Sequence, residues 1–192
     1  MNEADDRYVY PGTSILRNRL GITDPEFLDK QERSLVVLRV RRGVPRGSFD
    51  LTHLRAVHRH LFQDIYDWAG ELRTVEVSKG GHQFQFRQFI QTGMADVHRR
   101  LVQSRFLKGL AAGDFAEQAA VITGDIHPFR EGNGRTQFQY LKQLAGEAGH
   151  RLDLARIEGL RWIEASIASH AADYRGMAAV ISGGLKPPPG GR

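Results

Sequence analysis

Apolar residues recur along this chain at spacings of three and four, interrupted by one stretch in which the period drops to two. Asp24 and Pro25 read as the N-cap and first residue of a helix running to about Val40, and a loop follows to Ser48. Asp50 can cap the next helix, in which Leu51, Leu54, Val57, Leu61 and Ile65 share one stripe and are assigned to the core. From Arg73 to Phe86 the pattern changes: Thr74 to Val77 and Gln83 to Phe86 predict two short strands around Ser78, Lys79, Gly80 and Gly81. A lone hairpin is marginal in water, so it must lean on the helices or wait for a partner strand, which a substrate can supply. Further helices are predicted at about residues 88–108, 114–125, 134–148, 153–169 and 173–181. The end, GGLKPPPGGR, reads as a mobile tail unable to continue a helix. The fold class is mainly α with one β-hairpin.

Composition narrows the function classes. A chain of 192 residues suits one domain, and 41% hydrophobic with 26% charged residues is the balance of a sequence that folds. No apolar run approaches bilayer length, the start MNEADDRYVYPG is acidic and polar, and cysteine is absent, so a cytoplasmic location with no membrane partner is expected. The net charge of +5 raises the question of nucleic acid. The densest basic stretch, Arg39, Arg41, Arg42 and Arg46, lacks interleaved aromatics and reads as a solvated helix end running into a loop. Nucleic acid is therefore ranked behind other partners.

The chemistry concentrates in His127-Pro128-Phe129-Arg130-Glu131-Gly132-Asn133-Gly134-Arg135. Pro128 stops the preceding helix, and the two glycines free the backbone just before a segment with Phe138, Leu141, Leu144, Ala145 and Ala148 at helical spacing. A glycine-rich turn opening into a helix N-terminus favours phosphate, and Arg135 in the first turn can add a guanidinium fork. Glu131 is a hard oxygen ligand suited to magnesium, and His127 is the base candidate, an imidazole being the side chain whose unperturbed titration lies near neutrality. Singly, each has a bland role as a cap, a solvated charge or a turn; their adjacency carries the reading. The common nucleotide loops are excluded: no GxxxxGK[ST] occurs, and Gln137 stands where a dinucleotide fingerprint wants glycine.

HPFREGNGR resembles the signature of the Fic family, HPFx[DE]GN[GK]RxxR, and the similarity runs from FDLTHLRAVHRHLFQDIYDWAGELRT through the hairpin to the helices after the motif. The resemblance implies a Fic-type helical domain over residues 1–185, with a core at about 50–182, an N-terminal helical extension at 1–49 and a flexible tail at 186–192. It implies a protein adenylyltransferase in which His127 deprotonates a Tyr, Thr or Ser hydroxyl of a target protein that attacks the α-phosphate of ATP. In that scheme Glu131 holds magnesium, Gly132, Asn133, Gly134 and Arg135 bind the nucleotide phosphates, and Pro128 and Phe129 shape the loop. The hairpin is a flap for an extended target segment, with Lys79 and Phe84 as its clamps.

Gly134 points to AMP transfer, because relatives with Lys there resemble a kinase branch. Phe138 departs from the pattern, standing where a second Arg grips the γ-phosphate. That departure keeps open a Fic-fold module that binds nucleotide or a partner with weak or altered transfer. No Glu has Ser or Thr four positions before it, so the family's inhibitory helix, [ST]xxxE[GN], is absent from these residues. The resemblance then implies a toxin-like class restrained by a separate small antitoxin protein, with bacterial proteins such as type II topoisomerase subunits as targets.

Overall fold

A computed structural model describes residues 7–79, 82–124, 127–169 and 171–186. Helix α1 spans Pro25–Arg41, and its cap is the expected one: the Asp24 side chain accepts the Phe27 N–H at 2.7 Å. Helix α2, Leu51–Phe62, starts in the same way, with Asp50 accepting the His53 N–H at 2.7 Å. Leu54, Val57, Leu61 and Ile65 are buried as the stripe predicts. The remaining helices are α3 (Ile90–Gln103), α4 (Ala112–Thr123), α5 (Asn133–Glu147), α6 (Gly159–Ser169) and α7 (Arg175–Gly184). Helix α7 packs on α4 and α6, whereas α2 packs on α1 and α5.

Two apolar clusters result. The larger gathers Leu101, Phe115, Ala119, Phe129, Leu141, Leu144 and Ile181 from α3, α4, α5, α7 and the turn before α5. The smaller holds α1 against α2 through Leu28, Val36, Leu61, Phe62 and Tyr66. The sequence from His127 to Arg135 lies along the seam between them, with Phe129 in one cluster and Phe62 facing it from the other.

Several boundaries differ from expectation for identifiable reasons. The hairpin is tighter: β1 (Ser78–Lys79) and β2 (His82–Gln83) pair antiparallel, Ser78 opposite Gln83 and Lys79 opposite His82. Ser78 and Lys79, expected in the turn, are in the strand, and Gly80 and Gly81 lie outside the described residues. Thr74 to Val77 is occupied by contacts to other segments rather than by a ladder, apart from the Phe84 N–H donated to the Val77 carbonyl at 3.0 Å. The helix expected at 88–108 begins with a 3-10 turn at Arg87–Phe89 and ends at Gln103. Beyond it Arg105, Phe106 and Leu107 turn left-handed, with φ of 50°, 56° and 60°, and Leu107 is fully buried.

The segment predicted as one helix from Asp153 splits, because Asp153 caps a 3-10 turn at Leu154–Arg156 before α6 begins. At the C-terminal end Gly183 and Gly184 complete α7, and Leu185 is buried and bridged to Leu152, so the expected tail starts later than its composition implies. Residues 187–192 lie outside the described residues. Arg39 is not part of a solvated face: its Nε donates to Asp64 at 2.6 Å. Among the described residues, no helix is long and apolar enough to cross a membrane.

Candidate active site

The turn before α5 is closed by its own side chains. Gly132 takes φ +79°, and a Cβ there would lie 2.3 Å from the Phe62 ring, so both torsion and space demand glycine. Asn133 accepts the Phe129 N–H at 2.9 Å and donates to the Phe129 carbonyl at 2.8 Å, tying the turn across its base. Thr136 returns both its N–H and its hydroxyl to the Gly132 carbonyl, at 3.0 and 2.9 Å.

Beneath the turn, the Phe129 ring stacks on the His58 imidazole with centroids 3.8 Å apart. His58 is wholly buried; its Nδ1 accepts the Gly70 N–H at 2.8 Å, so its Nε2 carries the proton that is donated to the Glu131 carbonyl at 3.0 Å. Burial and the Arg135 charge hold this ring neutral, with its pKa lowered to about 3 against the pull of the Glu131 hydrogen bond.

One buried guanidinium joins this turn to the hairpin. Arg73, 3% exposed, donates from Nε to the His127 carbonyl at 3.0 Å and from Nη1 to the Val75 carbonyl at 2.8 Å and Glu76 at 3.1 Å. Its Nη2 reaches the Gln85 carbonyl, and its backbone N–H donates to the Pro128 carbonyl at 2.9 Å. Burial lowers its pKa and Glu76 opposes that, while an arginine keeps its charge in either case. The result places Phe84 of the hairpin face to face with His127, ring centroids 4.0 Å apart and planes 18° from parallel.

A cavity of about 270 Å³ opens at the N-terminal end of α5, lined by Phe84, His127, Arg130, Glu131, Asn133 and Gly134, and by Trp162 and Ser166 of α6. The first N–H groups of α5 have no acceptor within the helix. Glu131 accepts its neighbour's Gly132 N–H at 2.8 Å, so a carboxylate oxygen sits where an anion would bind. Gly134 is uncrowded, since a Cβ there would be 3.7 Å from the Trp162 nitrogen.

Arg135 turns from the cavity toward α1. It ion-pairs with Glu32, approaches Glu131 at 3.4 Å and lies 4.9 Å over the Phe62 ring. Glu32, 5% exposed, also accepts the Tyr66 hydroxyl, and that burial and charge raise the tyrosine's pKa. Phe138 packs on Trp162 at 4.5 Å between centroids.

The fold thus gathers His127, Glu131, Asn133, Gly134 and Phe84 at one cavity, sinks Phe129 into the core, ties the Pro128 carbonyl to the Arg73 N–H, and leaves Arg135 out of the cavity lining. The backbone of Lys79 is in β1, but its side chain lies outside the described part. His58, Arg73 and Glu32 were not foreseen. The spacing of His58 from Leu54 and Leu61 put it on the buried stripe of α2, which was a usable signal; Arg73 and Glu32 carried none, because their partners lie far off in the sequence.

The Fic/DOC family model matches residues 48–145. The chain is 38% identical over 184 residues to the probable protein adenylyltransferase y4lH of Sinorhizobium fredii, covering 94% of this chain and 96% of that protein. It is 35% identical to the protein adenylyltransferase VbhT of Bartonella schoenbuchensis, over 93% of this chain but only 38% of that longer protein. Among solved structures, the Bartonella tribocorum BepC protein with bound AMPPNP is similar at a TM-score of 0.86 and 27% identity, covering 97% of this chain and 100% of that one. The N-terminal Fic domain of a Bartonella quintana effector with bound ADP is similar at 0.84 and 27%, covering 96% of each.

Proposed function

The chain belongs to the Fic/DOC family and is a nucleotidyltransferase of the protein adenylyltransferase kind; from that premise we propose that it moves AMP from ATP to a Tyr, Thr or Ser hydroxyl of another protein, with His127 as the base. The observation that carries this reading is the single cavity shared by His127, Glu131 and the first turn of α5. The nucleotide is supported by the AMPPNP and ADP bound in the two structural neighbours. The hydroxyl gives its proton to His127 as its oxygen bonds to the α-phosphorus, the bond from that phosphorus to the bridging oxygen breaks, and pyrophosphate departs. The free N–H groups at the start of α5 meet the phosphate oxygens. Arg73 fixes the His127 carbonyl and Phe84 its ring, so the base is oriented before substrate arrives.

A magnesium ion fits the donor set. No cluster of three or more potential ligands exists among the described residues, but Glu131 is an exposed carboxylate beside the anion site, and magnesium is commonly held by one or two carboxylates plus substrate phosphates. When bound it would neutralise phosphate charge, with Glu131 as its protein ligand. The short hairpin above the cavity is the place for an extended target segment, which could pair with its edge. The absence of an inhibitory [ST]xxxE[GN] segment from these 192 residues supports a toxin-like protein restrained by a separate antitoxin.

The test is label transfer to protein in a bacterial lysate with magnesium, comparing ATP labelled at the α- and γ-phosphates. Alpha label that disappears with His127→Ala is the expected result. Gamma label would make the protein a kinase, and no label from any nucleotide would leave it a binding module, the reading that Phe138 motivates.

A further inference from the structure

Gly134 and Phe138 stand one turn apart on the same face of α5, and a side chain at position 138 leans back along that face toward Gly134. An arginine at 138 would use that direction to bring charge to the nucleotide, and Phe138 has none to offer. Its ring goes instead to Trp162 of α6, with centroids 4.5 Å apart. The same indole reaches Gly134, where a Cβ would meet Trp162 Nε1 at 3.7 Å. That nitrogen therefore lies beside the first turn of α5, whose N–H groups have no acceptor within the helix, and its residue lines the cavity that also holds His127 and Glu131. Trp162 is 5% exposed, yet its indole N–H donates to no described residue and is open to solvent. An indole nitrogen can only donate, and a buried tryptophan ordinarily finds an acceptor for it. Here the cavity is the side from which an acceptor can come.

We propose that the Trp162 indole N–H donates to the outer phosphates of the bound nucleotide, and that Phe138 is the brace that holds the indole in place. This rests on the nucleotidyl-transfer reading and adds one ligand to it, leaving the other phosphate contacts as they are. A hydrogen bond to a charged oxygen is stronger than one between neutral groups, so a single neutral donor recovers part of what a guanidinium at 138 would supply. Gly134 belongs to the same arrangement, because a long side chain there would cover the indole nitrogen.

The first test uses the unaltered full chain, which has two tryptophans, Trp68 and Trp162, and so two indole N–H signals in proton–nitrogen correlation spectra. The Trp162 signal is assigned by its loss in Trp162→Phe, or by the loss of the other signal in Trp68→Phe. Its proton should move downfield on titration with ATP and much less with AMP, which lacks the outer phosphates. A signal that stays in place at saturating ATP, or moves equally with AMP, overturns the proposal. Calorimetry reads the energetic side. Trp162→Phe keeps an aromatic ring against Phe138 and loses the donor, so it should bind ATP about 10-fold more weakly and AMP as the wild type does, with the melting temperature as the check on folding. Unchanged ATP affinity, or an equal loss for AMP, overturns the proposal as well. Should Trp162→Phe not fold, the wild-type titration still decides. Wild-type protein that binds neither nucleotide overturns the nucleotidyl-transfer reading itself, whereas one that binds ATP and leaves the Trp162 signal unmoved overturns this assignment alone.

Discussion

The turn before α5 and the hairpin meet at His127, but they are held by different means. The turn is fastened from within by Asn133 and Thr136, from below by His58 and from the side by Phe62, so its shape belongs to the fold. The hairpin has two residues in each strand and is fixed mainly at its base, through Arg73 and the Phe84 ring. A rigid phosphate-binding turn is preorganised for charge that develops in the reaction, whereas a covering element must admit a substrate and let it go. Perturbing the turn should therefore cost stability and activity together, and perturbing the hairpin should cost activity alone.

The largest expected effect is that of Gly132→Ala. The added methyl meets Phe62 at 2.3 Å on a backbone that only glycine adopts easily, and urea unfolding should show a loss of about 3 kcal/mol or more together with loss of transfer. Wild-type stability in that variant would mean the turn is softer than its contacts imply.

A smaller effect comes from pH. His58 is kept neutral in the fold down to about pH 3, while the unfolded chain takes up its proton near the ordinary value of 6.5. Above 6.5 both states are neutral and nothing is gained or lost. As pH falls below 6.5 the unfolded state binds the extra proton and stability drops, by about 2 kcal/mol at pH 5 from this residue. Unfolding at pH 7 and pH 5 should show a shallower decline in His58→Gln; an equal decline in both proteins would remove His58 as its source.

The smallest stability effect should be that of Phe84→Ala on the hairpin. Removing its ring from His127 is expected to lower transfer about 10-fold; the ring is buried but belongs to neither apolar cluster, so the melting temperature should fall less than in Gly132→Ala. A large drop in melting temperature would put the hairpin in the core and erase the contrast with the turn.

Much of this architecture was legible in the sequence, and the parts that were share a cause. Asp24 and Asp50 act on amides three residues away, and the α2 stripe depends on a three-to-four repeat, so local order suffices to find them. The turn was legible because its parts are adjacent. What was hidden depends on distance along the chain: Arg73 acts on His127, 54 residues away, and Glu32 acts on Arg135 across more than half the protein. The strands were misplaced because TVEV and QFQF have the composition of strands, while their backbone groups are engaged by Tyr8 and Arg73 instead. The direction of Arg135 could not be read from a motif at all, since a motif records which residues are present and not which neighbour claims them.

The left-handed run at Arg105, Phe106 and Leu107 has a practical consequence for anyone engineering this enzyme. Each such residue in an L-chain costs about 1–2 kcal/mol, and here the conformation is retained because Leu107 is buried in the core. The run is not among the residues that line the cavity. Arg105 is exposed, and Asn, which tolerates that conformation, can replace it without disturbing any core side chain. Thermostabilising libraries would do well to begin at this turn, where a gain in melting temperature need not be traded against catalysis.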